Sequence, residues 1–312
     1  MKIAFFEIKP EEEEFFKKAL KDKNIELYFY KKTIKEVIDK PMDYDVISVF
    51  VHSKIDKKIL DKLPNIKYIQ TRSTGVDHLD LVEIYKRGIL ASNVVGYAGP
   101  CVGEFAYGLL LEAIRKLYIA ILRLKWGCME YKDLKGIEIE GKTIGILGLG
   151  TIGSKIAKIA KGFGAKTIGF NRSYKKEFDN LVDDFTQQLE DVLQKSDFLF
   201  IALPLTPLTN NLINKENIQK FKGKIIINPA RAEIIEEDVY RNFDGIIAAD
   251  VIPNSDLAKK ENIIATPHMA YYTEEALYRI MQISLDNLID YLNGKKPRNC
   301  LKQYLEKEHK NA

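Results

Sequence analysis

Two polar residues with evident chemistry stand directly after short apolar runs of the chain. His268 follows Thr266-Pro267, and because an imidazole titrates near neutral pH it is the best acid–base candidate. Arg231 follows Pro229-Ala230, and a cation in so apolar a run needs an anion, for which a substrate carboxylate is the natural partner. The alternatives are a structural histidine and a salt bridge from the arginine to a nearby glutamate.

Asp250 stands in the same kind of position, after Ala248-Ala249. Its carboxylate would be able to reach a nicotinamide amide or to support His268 from behind. Open α/β sheets bind their ligands at the carboxyl ends of the strands, which is where all three side chains are expected.

A glycine turn, Gly148-Leu149-Gly150-Thr151-Ile152-Gly153, lies between an apolar run at 142–147 and a helical pattern. In that context Gly148 allows a tight turn, Gly150 lets the backbone approach a pyrophosphate, and Gly153 lets helix and strand pack closely. The helix N-terminus would offer N–H groups to the phosphates. An ordinary glycine-rich turn is the alternative, but the flanking elements favour a dinucleotide site.

The ribose end of that site departs from the common pattern. NAD-binding units place an Asp or Glu about 20 residues after the turn. Asn171 occupies this place, followed by Arg172, with Lys175 and Lys176 close behind. A guanidinium beside a neutral residue suits a 2′-phosphate and favours NADP, although NAD bound through Asn171 in a solvated basic loop is the alternative.

Two successive runs of alternating strands and helices must position these residues. The first run predicts strands at 3–6, 25–30, 45–51, 67–71 and 89–91, with helices at 10–20, 55–63 and 79–86. The second predicts strands at 142–147, 166–170, 197–203, 224–228, 245–250 and 263–266, a helix from 152, and a last helix at 273–293. Both runs predict the α/β class with two open parallel sheets.

A long apolar helix is predicted from Gly99 to about Leu124. It is too apolar to lie alone on a surface, so we expect it to cross between domains and to contact a partner subunit. A helix buried entirely within one chain is the alternative.

The bulk composition excludes several classes of protein. A net charge of +4 in 312 residues gives no case for nucleic-acid binding. The three cysteines are odd in number and far apart, which fits a reducing compartment and provides neither a disulfide framework nor a metal site. No apolar run has membrane-spanning length, so a cytoplasmic protein is expected.

Six ordered motifs make the chain resemble the D-isomer-specific 2-hydroxyacid dehydrogenase family over nearly its whole length. They are Thr71 to Asp80, Asn93 to Glu104, the glycine turn at 148–153, Asn228 to Arg231, Asp250-Val251, and Thr266-Pro267-His268. Tyr97, Pro100 and the run Ala270 to Thr273, which includes Tyr272, are most similar to the D-lactate dehydrogenase branch.

The resemblance implies a Rossmann dinucleotide-binding domain at 99–269, inserted in a flavodoxin-like substrate domain formed by 1–98 and 270–312. It implies a homodimer through the 99–124 helix and a cleft that closes by hinge motion. His268 would be the general acid and Arg231 the carboxylate clamp. The other implied roles are substrate binding by Ser73, Thr74, Gly75, Tyr97 and Tyr272, and cofactor contacts by Leu203, Pro204, Thr209 and Ala230 as well as Asp250.

The chain departs from the family where the histidine would have its glutamate partner. Ser255 occupies that place, with Asp256 next, so Asp256 is the candidate partner of His268. We therefore expect an oxidoreductase that reduces a small 2-keto acid to the D-2-hydroxy acid with NADP or NAD, as a D-lactate dehydrogenase would. The alternatives are a glyoxylate or hydroxypyruvate reductase and a nucleotide-sensing corepressor with the same fold.

Overall fold

The computed structural model describes residues 1–301. The chain forms a terminal unit, made of Met1–Tyr97 and the chain from Glu274 onward, and a central unit, Ala98–Thr273. The sequence placed these two boundaries after residues 98 and 269. The last part of the predicted substrate domain, residues 302–312, lies outside the described residues.

The terminal unit is built on a five-stranded parallel sheet in the order β2-β1-β3-β4-β5. This is the flavodoxin-like order, whose switch point lies beside the first strand. The strands are β1 (Lys2–Phe6), β2 (Glu26–Tyr30), β3 (Val46–Val49), β4 (Tyr68–Thr71) and β5 (Leu90–Ser92). The helices between them are α1 (Pro10–Leu20), α2 (Ile34–Val37), α3 (Lys57–Leu60) and α4 (Leu81–Lys86).

The central unit is built on a seven-stranded parallel sheet in the order β12-β11-β10-β9-β6-β7-β8, the doubly wound Rossmann arrangement. Its helices are α5 (Gly99–Arg115), α6 (Leu117–Lys125), α7 (Thr151–Gly162), α8 (Leu189–Lys195) and α9 (Glu237–Asn242). Its strands are β6 (Thr143–Leu147), β7 (Lys166–Phe170), β8 (Asp184–Thr186), β9 (Phe198–Ile201), β10 (Ile225–Asn228), β11 (Ile246–Ala249) and β12 (Ile263–Ala265). The chain then enters α10 (Glu274–Leu292), which belongs to the terminal unit.

Both sheets are covered on their two faces, as the near-continuous apolar strands require. In the terminal unit Ile47 and Ile69 belong to the core on one face, and Phe5 packs with Phe16 of α1 and Leu288 of α10 on the other. In the central unit α7 buries Ile156, Ala157 and Ala160, and Gly164 turns the chain with φ 70°. The predicted α/β fold with two parallel sheets is therefore confirmed.

The structure corrects one predicted element and adds one strand. The helix expected to run unbroken from residue 99 to 124 is two helices, because Lys116 adopts a left-handed conformation with φ 52° and ends α5 while its N–H still bonds Glu112. Neither glycine nor proline marks this break in the sequence. Strand β8 was not predicted, since its three residues carry no apolar period.

Within residues 1–301, no helix combines the length and apolar character that crossing a membrane would require.

Candidate active site

The residues singled out in the central unit lie along one edge of its sheet. Asn171, Gly148, Leu203, Arg231, Asp250 and His268 follow the carboxyl ends of β7, β6, β9, β10, β11 and β12, respectively, which lie in this order as consecutive neighbours in the sheet. Because all of these strands are parallel, their ends form one ligand-binding edge.

The glycine turn has the packing that a dinucleotide site requires. Gly148 has φ 94°, and a Cβ there would lie 2.6 Å from the carbonyl oxygen of Ala202. A Cβ on Gly153 would lie 1.8 Å from the oxygen of Gly148, whereas a Cβ on Gly150 would meet nothing within 4 Å. The open space is thus at Gly150, directly before α7, where a pyrophosphate could accept hydrogen bonds from the N–H groups of Thr151 and its neighbours. These residues fit a bound dinucleotide.

At the ribose end, Asn171 and Arg172 are held by side-chain bonds to the backbone. Asn171 Nδ2 donates to the oxygen of Ser173 at 3.0 Å, and Gln187 Nε2 donates to the oxygen of Arg172 at 2.6 Å. Gln187 was not singled out in the sequence, because it lies beyond the unpredicted β8. The guanidinium of Arg172 is exposed and available to an anionic ligand.

Two predicted cofactor contacts shape the turn after β9. The Thr209 hydroxyl donates to the oxygen of Pro204 at 2.6 Å and accepts from the N–H of Thr206 at 2.8 Å, so it fixes the turn. The side chain of Leu203 lies 2.9 Å from the Cβ position that Gly148 leaves empty. The structure therefore brings Leu203 to the glycine turn.

A buried asparagine sets the position of Arg231. Asn228 is 1% exposed, accepts from the N–H of Ala230 at 3.0 Å, and donates to the oxygen of Arg231 at 2.9 Å. Nη1 of Arg231 also donates to the oxygen of Ala230 at 3.0 Å. Asn228 was not predicted as a site residue, and neither was Tyr240, whose hydroxyl accepts from the Asn228 amide at 3.3 Å. The sequence signal for Asn228 was an amide residue at the end of an apolar strand, directly before a proline.

His268 occupies a strained turn that Asp250 holds in place. The histidine has φ 54°, in the left-handed region, and its N–H donates to the oxygen of Asp250 at 2.8 Å. The Asp250 carboxylate is buried and accepts from the hydroxyl of Thr266 at 2.6 Å and from the N–H groups of Met269 and Ala270 at 2.9 Å each. These three bonds hold the turn that carries His268.

The structure places Asp256, the predicted partner of His268, less favourably, and it brings Tyr271 rather than the predicted substrate contact Tyr272 to the imidazole. Asp256 lies on a 3₁₀ turn, with its side chain 82% exposed and its carboxylate 2.8 Å from Nζ of Lys259. Tyr271 is the aromatic residue whose ring packs edge-on against the imidazole, with 6.2 Å between ring centroids. Tyr272, which the sequence singled out instead, is exposed and packs against Tyr271.

The predicted substrate-binding residues of the terminal unit lie in the loop after β4. The carbonyls of Ser73, Thr74 and Gly75 accept from Val94 N–H, from Asn93 Nδ2 and from the Ser73 hydroxyl, at 2.9, 2.8 and 2.8 Å. Among the residues that the structure describes, none accepts from the three backbone N–H groups of this loop. Oxygens turned inward and N–H groups left open are typical of an anion site.

The residues around this loop hold it rigidly. Arg72 is fully buried and donates to the backbone oxygens of Phe6, Glu7 and Ser48, which ties together the ends of β1, β3 and β4. Burial lowers the pKa of the Arg72 guanidinium. Tyr97, a predicted substrate contact, is buried, and its backbone oxygen accepts from Nε of Arg279 at 3.1 Å.

No cluster of three or more histidine, cysteine or acidic side chains that could hold a metal occurs in residues 1–301.

Comparison with known proteins gives evidence about the family of this chain that does not depend on the geometry of the site. Residues 107–270 match the sequence model described as D-isomer specific 2-hydroxyacid dehydrogenase, NAD binding domain. The chain is 33% identical to a glyoxylate reductase of Thermofilum pendens over 84% of its length and 82% of that protein. It is 34% identical to a hydroxypyruvate reductase of Thermotoga maritima over 76% of its length and 81% of that protein.

A solved structure is similar over almost the whole chain. It is a D-lactate dehydrogenase from Aquifex aeolicus complexed with NAD and lactic acid, with a TM-score of 0.82 and 28% identity, covering 94% of this chain and 96% of that one.

Proposed function

The chain belongs to the D-isomer-specific 2-hydroxyacid dehydrogenase family, and we propose that it reduces a small 2-keto acid to the D-2-hydroxy acid with NADPH or NADH. The observation that supports this best is the common sheet edge, where Arg231 and His268 follow β10 and β12 while the glycine turn follows β6. A cation for a carboxylate, an acid and a dinucleotide site on one edge are the parts that the reaction needs.

The nicotinamide, when bound, supplies the hydride that the keto carbon accepts. His268 donates a proton to the developing alkoxide, so it must be protonated for reduction. Arg231 binds the substrate carboxylate and polarises the carbonyl through its planar guanidinium. The family resemblance assigns the other carboxylate oxygen to the backbone N–H groups of Ser73–Gly75. The turns organised by Asn228 and Asp250 keep the arginine and the histidine in position.

A glyoxylate or hydroxypyruvate reductase is the second candidate, supported by the names of the relatives at 33% and 34% identity. Pyruvate reduction is supported by the D-lactate dehydrogenase structure at 28% identity. The three acids differ only in the group on the keto carbon, so the chemistry above is common to all of them.

Steady-state oxidation of NADPH and NADH with pyruvate, glyoxylate and hydroxypyruvate tests the proposal. We expect at least one acid to be reduced, and Arg231→Lys to lower kcat/KM by about 10²-fold while cofactor affinity stays unchanged, because lysine keeps the charge but loses the fork. Arg241→Lys, on the surface of α9, is the matched control. An equal loss of cofactor binding in Arg231→Lys would make this arginine a cofactor-binding or structural residue.

The favoured cofactor is NADPH, because Arg172 is exposed beside the neutral Asn171. The expected location is the cytoplasm. The expected assembly is a homodimer through the 99–124 segment.

A further inference from the structure

A chain of three hydrogen bonds links His78 to the anion-binding loop. Nε2 of His78 lies 2.9 Å from Oγ1 of Thr71, which lies 2.7 Å from Oγ of Ser73. Oγ of Ser73 in turn lies 2.8 Å from the carbonyl oxygen of Gly75. Both hydroxyl residues are buried, and all four residues belong to the terminal unit.

The direction of this chain follows from its last acceptor. A carbonyl oxygen can only accept, so the single hydroxyl hydrogen of Ser73 is given to Gly75. The Ser73 oxygen then accepts from Thr71, whose own hydrogen is thereby used, and the Thr71 oxygen must accept from His78. Nε2 of His78 therefore carries a hydrogen, and Nδ1 is the nitrogen that titrates.

This arrangement holds in both protonation states of the imidazole, since Nε2 keeps its hydrogen in each. Burial lowers the pKa of His78 and His52 adds to this effect, whereas the carboxylates of Glu7 and Asp77 oppose it. The neutral ring with hydrogen on Nε2 is thus the working form near neutral pH.

The consequence for the loop lies in the peptide group after Gly75. The N–H of that peptide belongs to Val76, the next amide of the loop, and because the peptide is planar, holding the Gly75 oxygen inward turns this N–H to the opposite side. The Ser73 hydroxyl thereby fixes the side of the loop on which the Val76 N–H stands. With the hydroxyl free to rotate, the oxygen of Gly75 could swing outward and repel an anion.

We propose that His78 is a positioning residue, which acts through Thr71 and Ser73 to orient the Gly75 peptide for binding of the substrate carboxylate. This inference rests on the proposed function, which assigns the loop to that carboxylate. His78 itself does not contact the substrate in this account.

The histidine nitrogens and the loop amides can be followed directly by NMR on ¹⁵N-labelled protein, with oxalate as a dicarboxylate probe that cannot be reduced. We expect the Nε2–H tautomer for His78 in the wild type, and oxalate-dependent shifts of the amides of residues 73–76. Thr71→Val and His78→Phe should each weaken oxalate binding about tenfold, the effect of one hydrogen bond, and the double variant should weaken it no further. His78→Gln, which keeps an N–H near the Nε2 position, should bind oxalate almost as the wild type does.

Thr33→Val is the matched control, since Thr33 bonds Glu36 elsewhere in the terminal unit. It should leave oxalate binding unchanged even if it lowers the free energy of unfolding. Additive losses in the double variant, a wild-type Nδ1–H tautomer, or absence of oxalate shifts at residues 73–76 would each overturn the inference.

The kinetics separate this inference from the proposed function. If the wild type binds oxalate at the loop as expected but reduces no 2-keto acid, the proposed reaction fails and the positioning role stands. If it reduces a 2-keto acid with the same KM in Thr71→Val, His78→Phe and the wild type, the reaction stands and the positioning role fails.

Discussion

At the scale of single residues, the cofactor preference depends on the side chains that follow β7. Asn171 carries no charge to repel a 2′-phosphate, and the exposed guanidinium of Arg172 can bind it through two parallel hydrogen bonds. Gln187 holds the backbone of Arg172 in place at 2.6 Å. On this basis we expect the protein to prefer NADPH to NADH.

Arg172→Ala should therefore raise the KM for NADPH about tenfold, which corresponds to about 1.4 kcal/mol, and should hardly change the KM for NADH. Lys195→Ala, on α8 and paired with Asp184, is the control for loss of a surface cation. A wild type that prefers NADH tenfold, or an equal effect of Arg172→Ala on both cofactors, would show that the basic loop is only a solvated surface.

The acid–base behaviour of His268 provides a second test at this scale. Reduction needs the protonated imidazole, so activity is lost as pH rises through the pKa of His268. A carboxylate beside it raises that pKa, and Ser255→Glu should move the alkaline limb of kcat/KM upward by about one pH unit. Asp256→Asn should leave the limb in place, because the structure pairs that exposed carboxylate with Lys259.

The pH profiles of these two variants and the wild type decide between the candidates for the partner of the histidine. A downward shift in Asp256→Asn would restore the partner role that the sequence suggested for Asp256. If neither variant moves the limb, a group other than His268 titrates.

The sequence predicted the charged or titratable residues of the site, but not the hydrogen bonds by which neutral side chains hold the backbone around them. Arg231 and His268 stand out because a charged or titratable side chain directly after an apolar run indicates a ligand-binding position. Asn228 and the paired Thr71 and Ser73 acquire their roles only through hydrogen bonds to backbone atoms whose positions depend on the turn geometry. Spacing in the sequence does not reveal that geometry.

At the scale of elements, the turns after β10 and β12 follow the same plan. In each a buried polar side chain bonds several backbone groups of the turn, Asn228 in one and Asp250 in the other. The β12 turn also holds His268 at φ 54°, a conformation that costs a non-glycine residue about 1 kcal/mol or more. The bonds to Asp250 offset that cost.

Asp250→Asn tests this plan. An amide has only one acceptor oxygen, so it leaves at least one of the Thr266, Met269 and Ala270 donors unsatisfied or facing its own N–H₂ group. We expect the free energy of unfolding in urea to fall by about 1–3 kcal/mol and kcat to fall more strongly than cofactor affinity.

Asp238→Asn on the surface of α9 is the control for the loss of one carboxylate. Wild-type stability and kcat in Asp250→Asn would mean that the buried carboxylate does not hold the histidine turn.

Element prediction was accurate where apolar periodicity was long and failed where it was short. All strands of the two sheets except β8 were located to within a few residues, because buried strands have continuous apolar runs. The break at Lys116 was missed, since lysine gives no local signal for a left-handed residue. Strand β8 depends on pairing with β7 and not on its own three residues.

At the scale of the whole molecule, α6 has an exposed apolar surface. None of its residues is buried, and Tyr118 and Leu124 are 63% and 62% exposed, followed by Trp126 at 85%. Exposed apolar patches of this kind mark association surfaces. A second copy of this chain is the partner expected from the family resemblance.

We expect the wild type to be a dimer by light scattering after size exclusion, and Ile121→Glu with Leu124→Glu to shift it toward monomer. Because α6 buries no side chain within the chain, circular dichroism of the variant should remain that of the wild type. Lys125→Glu, at the end of the same helix, is the charge control. A monomeric wild type, or a double variant that stays dimeric, would remove α6 from the interface.

The most direct test of the whole account is the configuration of the product. Wild-type protein is incubated with NADPH and, separately, with pyruvate and hydroxypyruvate, and the hydroxy acid formed is resolved by chiral chromatography against the nucleotide consumed. The account predicts one mole of D-2-hydroxy acid per mole of NADPH oxidised with at least one of the two acids. Formation of the L-acid, or nucleotide oxidation without any hydroxy acid, would contradict it.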